Sequence, residues 1–151
     1  MSIQAVVTPM QGALFWKAFW LNMLWVNISG LPRYFLLIKP MLHNAYPDDA
    51  DIAPVSVGIL FSWGVWTFLF VLASTCFFWV CFDRSRFTQR NAFIAALGFT
   101  TATIGLTWLG TVNMGMVPVA ILVVAMLWAS IEQFVSAQII GKLMPKRVLT
   151  W

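Results

Sequence analysis

The sequence carries little charge. Only 9% of its 151 residues are Asp, Glu, Lys or Arg, and only five of those are acidic. Soluble globular domains carry about a quarter charged residues, so a water-soluble fold is excluded. Histidine occurs once and cysteine twice. Cys76 and Cys81 are too few and too widely spaced for a zinc or redox motif, and are expected to be free thiols facing a reducing cytosol. The 9 Gly and 7 Pro form neither a collagen period nor a low-complexity tract. H-E-x-x-H, G-x-S-x-G and Walker-type motifs are absent, and with one histidine no base and orienting partner stand at helical spacing. An enzyme is not expected.

What is present is apolar. Hydrophobic residues make up 61% of the chain and aromatics 16%, and the mean hydropathy is +0.85. Such a chain is expected to live in lipid, where every backbone N–H and C=O must be satisfied within its own segment, and a helix of about 20 residues crosses the hydrocarbon. Four stretches have that length: Leu14 to Leu31, continuing past Pro32 to Ile38 if the proline does not end it; Val55 to Val80, introduced by Asp51 and Pro54; Ala92 to Gly110; and Met116 to Ile140, with Pro118 in its first turn and Gly141 and Pro145 as stop signals. The expected fold class is all-α: a polytopic membrane protein of four transmembrane helices in an antiparallel up-down bundle, with residues 1–151 as one membrane domain and no soluble domain.

Orientation follows the basic residues. With both termini inside, seven of the nine fall on the cytoplasmic face (Lys17, Arg84, Arg86, Arg90, Lys142, Lys146 and Arg147), leaving Arg33 and Lys39 outside. The basic side chains sit where orientation charges and lipid phosphates use them, so the bilayer is the expected partner and nucleic acid is not. The compact loops suit a bacterial inner membrane. Met1 to Gln11 carry no charged side chain and no small-x-small cleavage site follows, so this segment is expected to remain in the mature protein. Asn27-Ile28-Ser29 has the glycosylation pattern but lies within an apolar run, out of reach of a glycan.

Helices in lipid associate through close backbone approach and interhelical hydrogen bonds, so small and polar residues at helical spacing mark contact faces. The third span has two such faces. Ala96, Thr100, Thr103, Thr107 and Thr111 form one, and Gly98, Ala102 and Gly105 the other, which predicts a central helix packed on two sides. In the fourth span Pro118, Ala125, Ala129, Glu132 and Ser136 share a face, with Gln133 beside it. The short link from Thr111 to Gly115 makes spans three and four antiparallel neighbours. Trp128, at mid-span, needs a partner for its indole N–H inside the bundle. On the first span Asn22, Ser29 and Arg33 share a face. Trp16, Trp20, Trp79 and Trp108 suit interfacial anchoring.

Glu132 is the one acidic residue inside an apolar run. Intramembrane ionisable groups usually face the bundle interior or a wet cavity. Two readings follow. The favoured one is a structural acid, bonded to Thr100, Ser136 or a cytoplasmic lysine such as Lys17, although Lys17 is also placed to reach the headgroups. The other is a proton or cation coupling site lined by Thr100, Thr103 and Ser136. No metal or cofactor is expected. The weak metal candidate combines Met41-x-His43 with Met114-x-Met116, thioether and imidazole ligands of the type that select Cu(I), and His43 with Asp48, Asp49 and Asp51 lacks any specific ligand spacing.

The expected function is that of a small accessory or scaffold protein acting through helix–helix contacts, in a homo-oligomer or with a membrane-protein partner. The alternative is a small proton- or cation-coupled transporter or channel with Glu132 as coupling carboxylate.

Overall fold

The computed structural model describes residues 9–46, 56–85 and 87–144, and every element among them is helical. Asp48, Asp49, Asp51, Pro54, Arg86, Pro145, Lys146 and Arg147, expected to serve as loop, cap and orientation residues, lie outside the described residues.

The first helix, α1 (Pro9–Pro32), does not stop at its proline. It passes through a π-helical segment (Arg33–Ile38) into α2 (Lys39–Ala45), so the helical backbone runs seven residues past Ile38. Pro32 has no N–H to bond the carbonyl of Ile28. The turns that follow widen to five-residue hydrogen bonds, as in Lys39 N–H to the Tyr34 carbonyl, and Pro32 itself keeps helical angles (φ −59°, ψ −41°). The helix therefore continues without breaking, and carries Arg33 with it.

The other helices are shifted from the expected bounds by local chemistry. α3 (Val57–Arg84) is capped by Ser56, whose Oγ accepts from the Ile59 N–H at 3.3 Å, and it extends a turn past Val80 to bury Phe82. The third span begins at α4 (Gln89–Thr100), where Thr88 Oγ1 accepts from the Asn91 N–H at 3.1 Å. It continues through a second π segment (Thr101–Gly105) into α5 (Leu106–Asn113). Gly115, at φ +71°, makes the turn to α6 (Val119–Leu143), a backbone conformation that glycine adopts freely. Pro118 is the extended residue before α6 rather than part of its first turn. Gly141 lies within α6 rather than after it: a Cβ there would overlap the Phe87 ring, so glycine serves close packing and not helix termination.

Among the described residues, three helices are long and apolar enough to cross a membrane: Val57–Arg84, Gln89–Asn113 and Val119–Leu143. At 24 residues α1 also has the length, and it carries Lys17, Asn22 and Asn27 within it.

The centre of the fold is α6. It packs against α1, α3 and α4, and buries Ile121, Ala125, Ala129, Glu132, Gln133, Ser136, Ala137, Ile140 and Gly141. Small side chains spread over several of its faces let three neighbours approach closely. The third span was expected to hold that place. Within this chain it is covered on one side, where Ala92, Ala96, Phe99 and Thr100 are buried, whereas Gly98 and Ala102 are exposed. A Cβ on Gly98 would meet nothing within 4 Å, while one on Gly105 would meet Met126 at 3.2 Å.

Two apolar clusters mark the two ends. Ala18, Phe78, Phe82, Ala92, Ala96, Phe99, Ala137 and Ile140 join the start of α1 and α4 to the end of α3 and α6. Ile38, Ile121 and Ala125 join the first π segment to the start of α6, with Trp108 packed alongside.

Candidate functional site

Between those clusters, the polar residues of α1 meet the acid of α6. Trp25, Ser29 and Arg33 recur every four residues, and in a helix that spacing puts them on one face. Trp128 and Glu132 are likewise one turn apart. The two faces interlock. Ser29 Oγ donates to Glu132 Oε2 at 3.0 Å, and Arg33 Nη1 donates to the same oxygen at 3.1 Å. Trp25 Nε1 donates to the Glu132 backbone carbonyl at 3.0 Å, and Trp128 Nε1 donates to Ser29 Oγ at 3.1 Å.

The result is a buried ion pair with its own supports. Glu132 is 2% exposed and the Arg33 side chain 20%. Guanidinium suits such a site better than ammonium, because it is more weakly hydrated and presents several donors in a fixed fork. A buried ion pair adds little net stability over an apolar replacement, but removing one partner alone is strongly destabilising, since a buried charge is left uncompensated. It joins one face of the first helix to one face of α6.

None of the partners expected for the Glu132 carboxylate reaches it. Thr100 Oγ1 donates to the Ala129 carbonyl at 3.5 Å, and Ser136 Oγ donates to the Glu132 backbone carbonyl at 3.0 Å. Thr103 Oγ1 turns back to the Phe99 carbonyl of its own helix at 2.7 Å, as a threonine in a helix readily does. Thr107 and Thr111 bond back in the same way, to Thr103 and Trp108. Lys17 is exposed. It lies eight residues before Trp25, about 12 Å along the helix from the acid's level. The structure instead brings in Ser29 and Arg33, whose shared face is legible in the sequence, and meets the Trp128 indole with Ser29. The sequence left open whether the helix continues beyond Pro32, and without that continuation Arg33 reads as an outer-surface charge.

Of the packing residues, Ala125 and Ala129 are buried and Gly105 is half-buried against Met126. The sulfur and imidazole candidates sit near the turn between α5 and α6. Met41 is half-buried, while His43, Met114 and Met116 are exposed. Tyr46 closes the end of α2 onto this turn, its hydroxyl donating to the carbonyl of Met116 at 2.9 Å and of Gly115 at 3.4 Å. Among the described residues no cluster of three His, Cys, Asp or Glu side chains is placed to hold a metal ion.

Compared with protein-family descriptions, curated proteins and solved structures, the chain matches none.

Proposed function

We propose that this chain is a small four-span integral membrane protein, arranged up and down across the bilayer, that works as an accessory or scaffold protein through the lipid-facing sides of its helices. The observation that carries this reading is the state of Glu132. The one acid within the apolar runs is engaged by Arg33 and Ser29, so the ionisable group serves to lock α1 on α6. A coupling carboxylate at this position would have to exchange its proton or cation against the guanidinium that already pairs with it.

The fourth span in this reading is α1, and the orientation has both termini in the cytoplasm of a bacterial inner membrane. Supporting it, Lys17, Arg84, Arg90 and Lys142 are all exposed and stand within two residues of Ala18, Phe82, Ala92 and Ile140, members of a single cluster at one end of the bundle. At the other end Arg33 is drawn inward to Glu132, which leaves Lys39 as the exposed cation among the described residues. That difference in Lys and Arg sets the expected inside face.

The scaffold surface is the uncovered side of the third span, at Gly98 and Ala102, where a second helix can approach closely in a homo-oligomer or a membrane-protein partner. Photocrosslinkers placed at Leu97 and Ala102 in cells should give one adduct of defined mass. Gly98→Leu should abolish it while the chain still inserts and folds. Diffuse labelling without a defined adduct would defeat the scaffold reading. Proteoliposomes test the rival: a pH-dependent flux lost in Glu132→Gln would establish transport in its place.

A further inference from the structure

Helices α1, α3, α4 and α6 each carry a buried polar residue one turn from the apolar cluster at the basic end, always on the side towards the middle of the bundle. Ala18 of α1, Phe78 of α3, Ala96 of α4 and Ala137 of α6 belong to that cluster. One turn along the same helices stand Asn22, Ser74, Thr100 and Gln133, each with no exposed surface, and Thr75 beside Ser74 is equally buried. Residues four apart on a helix lie one above the other, so these side chains form a single layer.

Most of the layer is satisfied. Asn22 Nδ2 donates to Ser74 Oγ at 3.3 Å and to Thr75 Oγ1 at 3.2 Å, and Ser74 Oγ in turn donates to the Val71 carbonyl at 3.0 Å. Thr100 reaches the Ala129 carbonyl. Three atoms are left over: Asn22 Oδ1 and both ends of the Gln133 carboxamide, Nε2 and Oε1. Two amides can pair directly, as Gln89 and Gln138 do at 3.1 and 2.6 Å on the surface. Asn22 and Gln133, both fully buried, make no such pair, although Trp25 and Glu132, three residues from the one and next to the other, are bonded across α1 and α6. Buried polar groups without a partner are rare, and buried water typically bonds groups of this kind.

We infer that this layer is an internal hydration site, holding water between Asn22 of α1 and Gln133 of α6. The chemistry selects the ligand. The unpaired set contains both a donor, Gln133 Nε2, and acceptors, Asn22 Oδ1 and Gln133 Oε1. A bare cation satisfies only the acceptors, and an apolar solute satisfies none. Water accepts from Nε2 and donates to the two oxygens. This site goes beyond the scaffold reading and does not depend on it.

The test uses the full chain in lipid bilayers with 15N-labelled glutamine side chains, observed by solid-state NMR with magnetisation transferred from water protons. Gln133→Met assigns the Gln133 resonance by its loss. In the unmodified protein, the Gln133 Nε2 signal should receive magnetisation from water despite its position inside the bundle. In Asn22→Leu, which removes one anchor of the water, that transfer should fall at least twofold while Gln89 and Gln138 keep theirs. A Gln133 side chain that receives no water magnetisation in the unmodified protein overturns the inference, whatever the variants do. Transfer unchanged in a folded Asn22→Leu overturns the shared site.

Discussion

The indole of Trp128 donates to Ser29 Oγ at 3.1 Å, and that same oxygen donates to Glu132 Oε2 at 3.0 Å, so the residue that holds the acid is itself held from the acid's own helix. The α1–α6 seam is thus a closed relay. Trp128 and Glu132 sit on α6, Ser29 lies between them on α1, and Arg33 enters one turn further along, at the start of the π segment.

The ion pair should show strong coupling. Arg33→Met leaves a buried carboxylate without its counter-charge and should destabilise the fold by about 3–5 kcal/mol, whereas Arg33→Met combined with Glu132→Met should recover most of that loss. Reversible unfolding in detergent, analysed as a double-mutant cycle, measures the coupling. Additive single effects would show that the pair does not act as a unit.

Ser29→Ala removes a hydrogen bond to the carboxylate and leaves the Trp128 N–H unpaired. Because hydrogen bonds to charged groups are worth about 1.5–3 kcal/mol, destabilisation in that range is expected. The Trp128 environment should change as well, which fluorescence of a variant keeping Trp128 among few other tryptophans can read. Ser29→Thr retains the hydroxyl and should lose less.

At the basic end, Gly141→Val should strain the contact with Phe87, since even a Cβ would overlap that ring. Overpacking of a tight contact costs about 1–3 kcal/mol. Phe87→Ala alone should also destabilise by removing apolar contact, but combined with Gly141→Val it should give a smaller loss than the sum of the two. Thermal unfolding of the set decides the point, and strict additivity would count against a direct clash.

Lys17, exposed and distant from Glu132, provides the contrast. Lys17→Gln should change stability by less than about 0.5 kcal/mol, as surface substitutions away from special features do. A loss as large as that of Arg33→Met would reassign the partner of the acid.

The pattern of apolar runs is enough to indicate a helical membrane protein, and residue spacing alone places Asn22, Ser29 and Arg33 on one face of the first helix. The need of Trp128 for an internal partner is equally legible in its mid-span position. Their pairing is not. Helical periodicity states which residues share a face, but it does not say which face of another helix lies opposite. Thr100 and Thr103 illustrate the difficulty, for their stripe has the spacing of a contact surface, yet Thr103, Thr107 and Thr111 satisfy themselves on their own backbone.

Composition and period alone determined the helical class and the long apolar segments, because a chain with so few charges has no means of staying in water and must close its backbone hydrogen bonds within each segment. Only the tertiary structure decided that α6 is central, that the first helix survives Pro32 through a widened π turn, and that Arg33 rather than Lys17 meets Glu132. Those outcomes depend on how close and at what rotation neighbouring helices settle. That is a balance of side-chain volumes and buried polar partners across the bundle, to which each helix contributes only one side.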